Sequence, residues 1–139
     1  MLPSESWKGD FNDHRPIYRQ IIDRFSRSLV RGEIAPGDRI PSIRELAVDL
    51  KVNANTIQRA YQEMERDALI FSQRGTGYFV TNDSKAAERV RESLLADAVE
   101  TFLSDMRAMG LSDNEIKEAL NRRMREGERL NGAVDRQGA

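Results

Sequence analysis

The chain has 139 residues, 39% hydrophobic and 32% charged, with a formal net charge of −1 from 22 basic and 23 acidic side chains. That size suits one domain or a small domain with an appendage, and the surplus of charge fits a helical protein with much solvated surface. There is no cysteine for a disulfide or thiolate metal site, and with His14 the only histidine, most zinc and histidine-based catalysis is excluded. No apolar run approaches the roughly 20 residues that cross a bilayer, so no membrane association is expected. The N-terminus "MLPSESWKGDFNDHRP" lacks a basic-then-apolar signal, and a soluble, cytoplasmic protein is the expectation. Residues 1–82 carry 12 basic and 11 acidic side chains, and residues 83–139 carry 10 and 12. A nucleic-acid surface would therefore have to be local.

Taken in chain order, the first residues read as a flexible lead, with Trp7 expected to pack on the domain or a partner. "PIYRQIIDRFSRSLVRGEI" then spaces Ile17, Ile21, Phe25 and Leu29 at i+4, with Ile22 and Val30 widening the stripe. That predicts an amphipathic helix, started near Pro16 and stopped by Gly32. "APGDRIPS" reads as a turn around Pro36-Gly37. Ser42 and Glu45 form a capping box that opens a helix over 43–50, burying Leu46, Ala47 and Leu50. "KVN" leads to a second N-cap at Asn53 and a helix ending near Asp67, with Ile57, Ala60, Tyr61 and Met64 inward. "LIFS" and "YFVT", joined by "QRGTG", predict a β-hairpin. Helix, helix-turn-helix and hairpin in this order predict a winged helix-turn-helix over residues 11–81.

From residue 83 the chain reads as a long helix with two apolar faces. Val90, Leu94 and Phe102 mark one; Leu95, Val99, Leu103 and Met106 mark the other. Gly110 ends this helix, and the Ser112–Glu115 capping box opens another with Ile116, Leu120 and Met124 in one stripe. A helix with two apolar faces cannot bury both against one small domain. Residues 82–127 are therefore expected to form a homodimer through Leu94, Leu95, Val99, Phe102, Leu103 and Met106. Residues 128–139 read as a flexible tail. The fold class is thus mainly α with a small β-hairpin, a winged helix-turn-helix followed by a two-helix dimerisation region.

The start of the second helix of the pair is the most informative stretch. "VNANTIQRAYQEME" presents Asn53, Asn55, Thr56, Gln58, Arg59 and Gln62 with no acid before Glu63, although helix N-termini ordinarily favour acids. Recognition helices meet the major groove at this end, where Asn and Gln pair with adenine and Arg with guanine. An acid would face phosphates and repel them. Arg44, in the first turn of the preceding helix, is placed for a phosphate or base, and Arg74 with Gly75 forms the wing tip, suited to a minor groove or backbone. Arg44 could instead be an exposed arginine paired with Glu45 or Asp49. Glu63 and Glu65 lack a cleft for acid–base chemistry, and Ser42 is explained by capping. Asp10, Asp13 and His14 make only a weak metal candidate, and no cofactor is expected.

The run from "PIYRQIIDRF" to "GTGYFV", with its "PGDRIPSIRELA" segment, N-x-N-T-x-x-R-A-Y helix and G-x-G-Y-F-V wing, resembles the DNA-binding domain of GntR-family bacterial transcription regulators. The resemblance covers roughly residues 11–81. It implies DNA contacts from Arg44, from Asn53, Asn55, Thr56, Gln58 and Arg59, and from Arg74 and Gly75. Some relatives carry arginine where this chain has Ala54 or Gln58, which implies a different preferred operator. The short C-terminal part resembles the YtrA-type subfamily, whose two helices serve dimerisation. The resemblance further implies a homodimeric repressor on a palindromic operator, often of an ABC-transporter operon. A small-molecule effector would have to act by changing half-site spacing, and no site for one is visible. The competing reading is a winged protein-interaction module that no longer binds DNA.

Overall fold

The i+4 stripe that begins at Ile17 closes as a helix from Ile17 to Val30, with Pro16 as its N-cap, and Ile21, Phe25 and Leu29 are buried. Ile17 itself is 38% exposed, because the stripe reaches the edge of the core at its first turn. The structure is a computed structural model and describes the backbone of residues 3–137 and the side chains of residues 5–132. In chain order its elements are α1 (Pro3–Trp7), α2 (Ile17–Val30), β1 (Arg39–Ile40), α3 (Ile43–Leu50), α4 (Ala54–Arg66), β2 (Ile70–Gln73), β3 (Gly77–Val80), α5 (Ala86–Ala108) and α6 (Asp113–Gln137). The winged helix-turn-helix is present, followed by two long helices.

The chain divides into two units, Met1–Ser93 and Leu94–Ala139. The first is wider than the expected 11–81 at both ends. Trp7 is fully buried, meets Phe25 edge-on with centroids 5.8 Å apart, and donates its indole N–H to Ser28 Oγ at 2.9 Å. The segment expected to be flexible is pinned. Gln20 Nε2 donates to the carbonyls of Asn12 and Arg15, both at 2.9 Å, and Arg24 donates to those of Trp7, Gly9 and Asp10. Each such bond satisfies backbone that the short, turn-rich segment could not satisfy itself. At the other end, Ala86 is buried and Ala87 and Val90 pack on the same core. Val90 therefore belongs to the winged unit and not to an apolar face shared with Leu94 and Phe102.

The core of this unit gathers Trp7, Phe25, Leu46, Ile57, Tyr61 and Val80 from its helices and sheet. Burying a side chain such as Phe25 or Ile57 contributes roughly 1.5–3 kcal/mol. The sheet has the order β1-β3-β2, antiparallel throughout, with Ile70 opposite Val80 and Gln73 opposite Gly77. Its third strand, Arg39–Ile40, lies within the stretch expected to be only a turn. Two residues are too short to display an alternation in sequence.

In the second unit Ser112 and Glu115 complete their capping box: Glu115 N donates to Ser112 Oγ at 3.2 Å and Ser112 N donates to Glu115 Oε1 at 3.1 Å. These bonds hold the Glu115 carboxyl below its usual pKa, the backbone N–H of Ser112 first among them. Helix α6 continues through Gly127 to Gln137, beyond the expected end near residue 127. A helical glycine costs about 1 kcal/mol, and the arginines and glutamates on either side are good helix formers. The tail expected over 128–139 is thus helical as far as it is described, and residues 138–139 lie outside the described residues.

Candidate nucleic-acid interface

The turn between α3 and α4 is set by local chemistry. Ser42 caps α3 by accepting from Glu45 N at 3.1 Å, and Lys51 ends it in the left-handed conformation at φ 57°. Asn53 then caps α4, its Oδ1 accepting from Asn55 N at 2.8 Å. With Ile57, Ala60, Tyr61 and Met64 buried, the helical period sends Asn55, Gln58 and Arg59 to solvent and leaves Thr56 half-buried. The Tyr61 hydroxyl, inside the helix pair, donates to the Pro41 carbonyl at 2.6 Å and so ties α4 to the entry of α3.

The structure brings Asn55, Thr56 and Arg59 together. With Pro16, Ile17 and Tyr18 they line an open crevice of about 480 Å³ between the starts of α2 and α4. The Arg59 guanidinium carbon stands 4.0 Å from the Tyr18 ring centroid, and that of Arg19 stands 5.4 Å away. Sequence patterning does not single out Tyr18. Its place beside the apolar stripe conceals it, and only its position one helical step from the stripe's first residue could have suggested a second role.

Arg44 is exposed in the first turn of α3. Arg74 and Gly75 sit in the exposed three-residue loop between β2 and β3, where Thr76 N donates to Gln73 O at 2.9 Å. Gly75 takes φ 77°, a value that L side chains rarely adopt. Several other arginines of the winged unit are held in ion pairs. Arg15 and Arg27 share Asp23, Arg31 meets Glu33, Arg66 meets Glu63 and Arg89 meets Asp83. Among the described residues Arg44, Arg59 and Arg74 have no acidic partner, so the pairing of Arg44 with Glu45 or Asp49 does not occur. No group of His, Asp and Glu able to hold a metal is found among the described residues, and no described helix is long and apolar enough to cross a membrane.

In the second unit, Leu95 is 53% and Val99 47% exposed, while Leu94, Phe102, Leu103 and Met106 are half-buried. The stripe on α6 buries Ile116 alone and leaves Leu120 and Met124 exposed. An apolar crevice of about 350 Å³ opens among Ala98, Val99, Phe102, Leu103, Ile116 and Leu120.

Residues 17–80 match the family described as "Bacterial regulatory proteins, gntR family". The chain is similar to the uncharacterized HTH-type transcriptional regulator YhcF of Bacillus subtilis, at 40% identity over 110 residues that cover 79% of this chain and 91% of that protein. It is also similar to the HTH-type transcriptional repressor YtrA of the same organism, at 41% identity over 70 residues, covering 50% of this chain and 54% of YtrA. A solved GntR family transcriptional regulator from Listeria monocytogenes superposes with a TM-score of 0.74 at 37% identity, over 81% of this chain and 98% of that one. These relatives are transcription regulators and not enzymes. The chain belongs to the GntR family of bacterial regulatory proteins, and its winged helix-turn-helix is that family's domain.

Proposed function

We propose that the protein is a cytoplasmic, homodimeric repressor that binds a palindromic operator, with an ABC-transporter operon as the target class to which the YtrA-like resemblance points. The observation that carries the reading is the exposed, acid-free start of α4, whose Arg59 has no acidic partner among the described residues. In this reading Asn55, Gln58 and Arg59 read base edges, Thr56 adds a hydroxyl and methyl, and Asn53 and Arg44 hold phosphates. Arg74 and Gly75 carry the wing to the minor groove or backbone. The uncovered apolar side chains of Leu95 and Val99 support association of two copies, with Leu94, Phe102, Leu103 and Met106 beside them. Two recognition helices would then meet half-sites one helical turn apart. An effector would act by favouring one half-site spacing over another.

The test is fluorescence anisotropy of the protein with DNA from upstream of its own gene, beside unrelated DNA, over a salt series. Tight binding to the upstream DNA that weakens steeply with salt, and is markedly weaker in Arg44→Ala, is expected. No binding to either duplex at low salt would sink the reading and favour a winged module that engages protein instead.

A further inference from the structure

We propose that Arg39, absent from the residues that the sequence singles out, is a further phosphate-contacting residue, held at the base of the wing by a bare backbone surface at Gly77. The inference rests on the DNA-binding reading above and extends it to β1. Ile40 is buried and pairs with Tyr78, so alternation along the strand turns Arg39 to the other face of the sheet, opposite Phe79. Gly77 lies on that same face, two residues nearer the wing tip. The Arg39 side chain runs toward it. A Cβ built on Gly77 would stand 3.4 Å from Arg39 Nε and 3.7 Å from Nη2. Gly77 has φ 128°, a conformation that L side chains rarely adopt, and the guanidinium lies beside backbone that carries no side chain.

No described residue neutralises this cation. Arg39 is exposed and, among the described residues, makes no ion pair or hydrogen bond. Its neighbour Asp38 is turned away, since Asp38 Oδ2 accepts from Ala35 N at 2.9 Å. An arginine laid along the strand, short of the Arg74–Thr76 loop and with its donors unused, suits the fork of a phosphate. The wing then brings two arginines to DNA, Arg74 from its tip and Arg39 from its base.

The experiment compares full-length protein with its Arg39→Gln, Arg39→Lys, Arg44→Ala and Arg66→Gln variants, by anisotropy on upstream and unrelated DNA over a salt series. Arg39→Gln is expected to lower the slope of log affinity against log salt by about 0.9 for each phosphate that is no longer neutralised. It should weaken both duplexes by the same factor, because a phosphate contact carries no sequence. Arg39→Lys should keep the slope, and Arg66→Gln, whose arginine already meets Glu63, should leave it unchanged. An unchanged slope in Arg39→Gln, with a lowered one in Arg44→Ala, overturns the role of Arg39 and leaves the DNA-binding reading standing. Weakening on one duplex alone also overturns it, in favour of base reading. Wild-type protein without salt-dependent binding overturns both.

Discussion

The guanidinium of Arg59 lies 4.0 Å over the ring centroid of Tyr18, which joins the exposed face of α4 to the first turn of α2. Such contacts contribute about 0.5–1 kcal/mol at exposed sites, and they also limit the rotamers of a long side chain. Tyr18 therefore acts as a positioning residue for Arg59 in the proposed interface. Tyr18→Leu is expected to weaken DNA binding about 2–5-fold, while Tyr18→Phe keeps the ring and the affinity. In an Arg59→Ala background the penalty of Tyr18→Leu should vanish. A penalty that survives undiminished in the double variant would show that Tyr18 acts independently of Arg59.

Tyr61 links pH to stability. Burial, with Tyr78 and Glu45 nearby, raises its pKa well above the ordinary tyrosine value. A raised folded pKa means that the native state holds the proton more tightly than the unfolded chain. The contribution is complete below about pH 10, the unfolded value, and is lost as pH rises beyond it. The thermal midpoint should therefore fall from about pH 10 upward. Tyr61→Phe should soften that fall, and at neutral pH it should cost about 0.5–1.5 kcal/mol for the missing bond to Pro41. An equally steep alkaline decline in Tyr61→Phe would assign the effect to other groups.

Trp7 is the only tryptophan, and its complete burial against Phe25 and Ser28 makes it a reporter of the winged unit. Its emission should be blue-shifted in the native protein and should move red as that unit unfolds. Trp7→Ala is expected to cost about 3–5 kcal/mol, as for other large-to-small core changes. Ser28→Ala, which leaves the indole N–H without its acceptor, should cost about 1–3 kcal/mol in denaturant titrations. Native emission typical of exposed indole would contradict the packing.

Val99 probes the proposed dimer. Val99→Glu places a carboxylate where a partner's apolar surface is expected, a penalty of about 3 kcal/mol, on the order of 100-fold in the dimer dissociation constant. Light scattering should report a dimer for the wild type and a monomer for the variant at low micromolar concentration. Affinity for a palindromic duplex should fall with it. A variant that keeps the wild-type mass would remove Val99 from the interface.

Much of the candidate site was legible because its signals are local. Ser42 and Asn53 announce their caps through their own side chains, and the 3.6-residue period separates Ile57, Ala60 and Tyr61 from Asn55, Gln58 and Arg59 without reference to the rest of the fold. Gly75 marks its turn through φ alone. The misses share the opposite property. β1 has no periodicity of its own and exists because β3 offers it hydrogen-bonding groups. Val90 continues the apolar pattern of α5, yet it packs on the winged core.

The sequence by itself determined the order of the main helices and the wing hairpin, the helix caps, the exposed polar start of α4 and the family, since each follows from short-range periodicity, capping chemistry or a contiguous motif. Only the tertiary structure decided that Trp7 anchors the winged core, that Tyr18 carries Arg59, and that Arg39 lies over Gly77. These pairs are joined by the packing of α2, α4 and the sheet. Residues 21, 41 and 38 positions apart in the chain become neighbours only when burial of a common core brings their elements together.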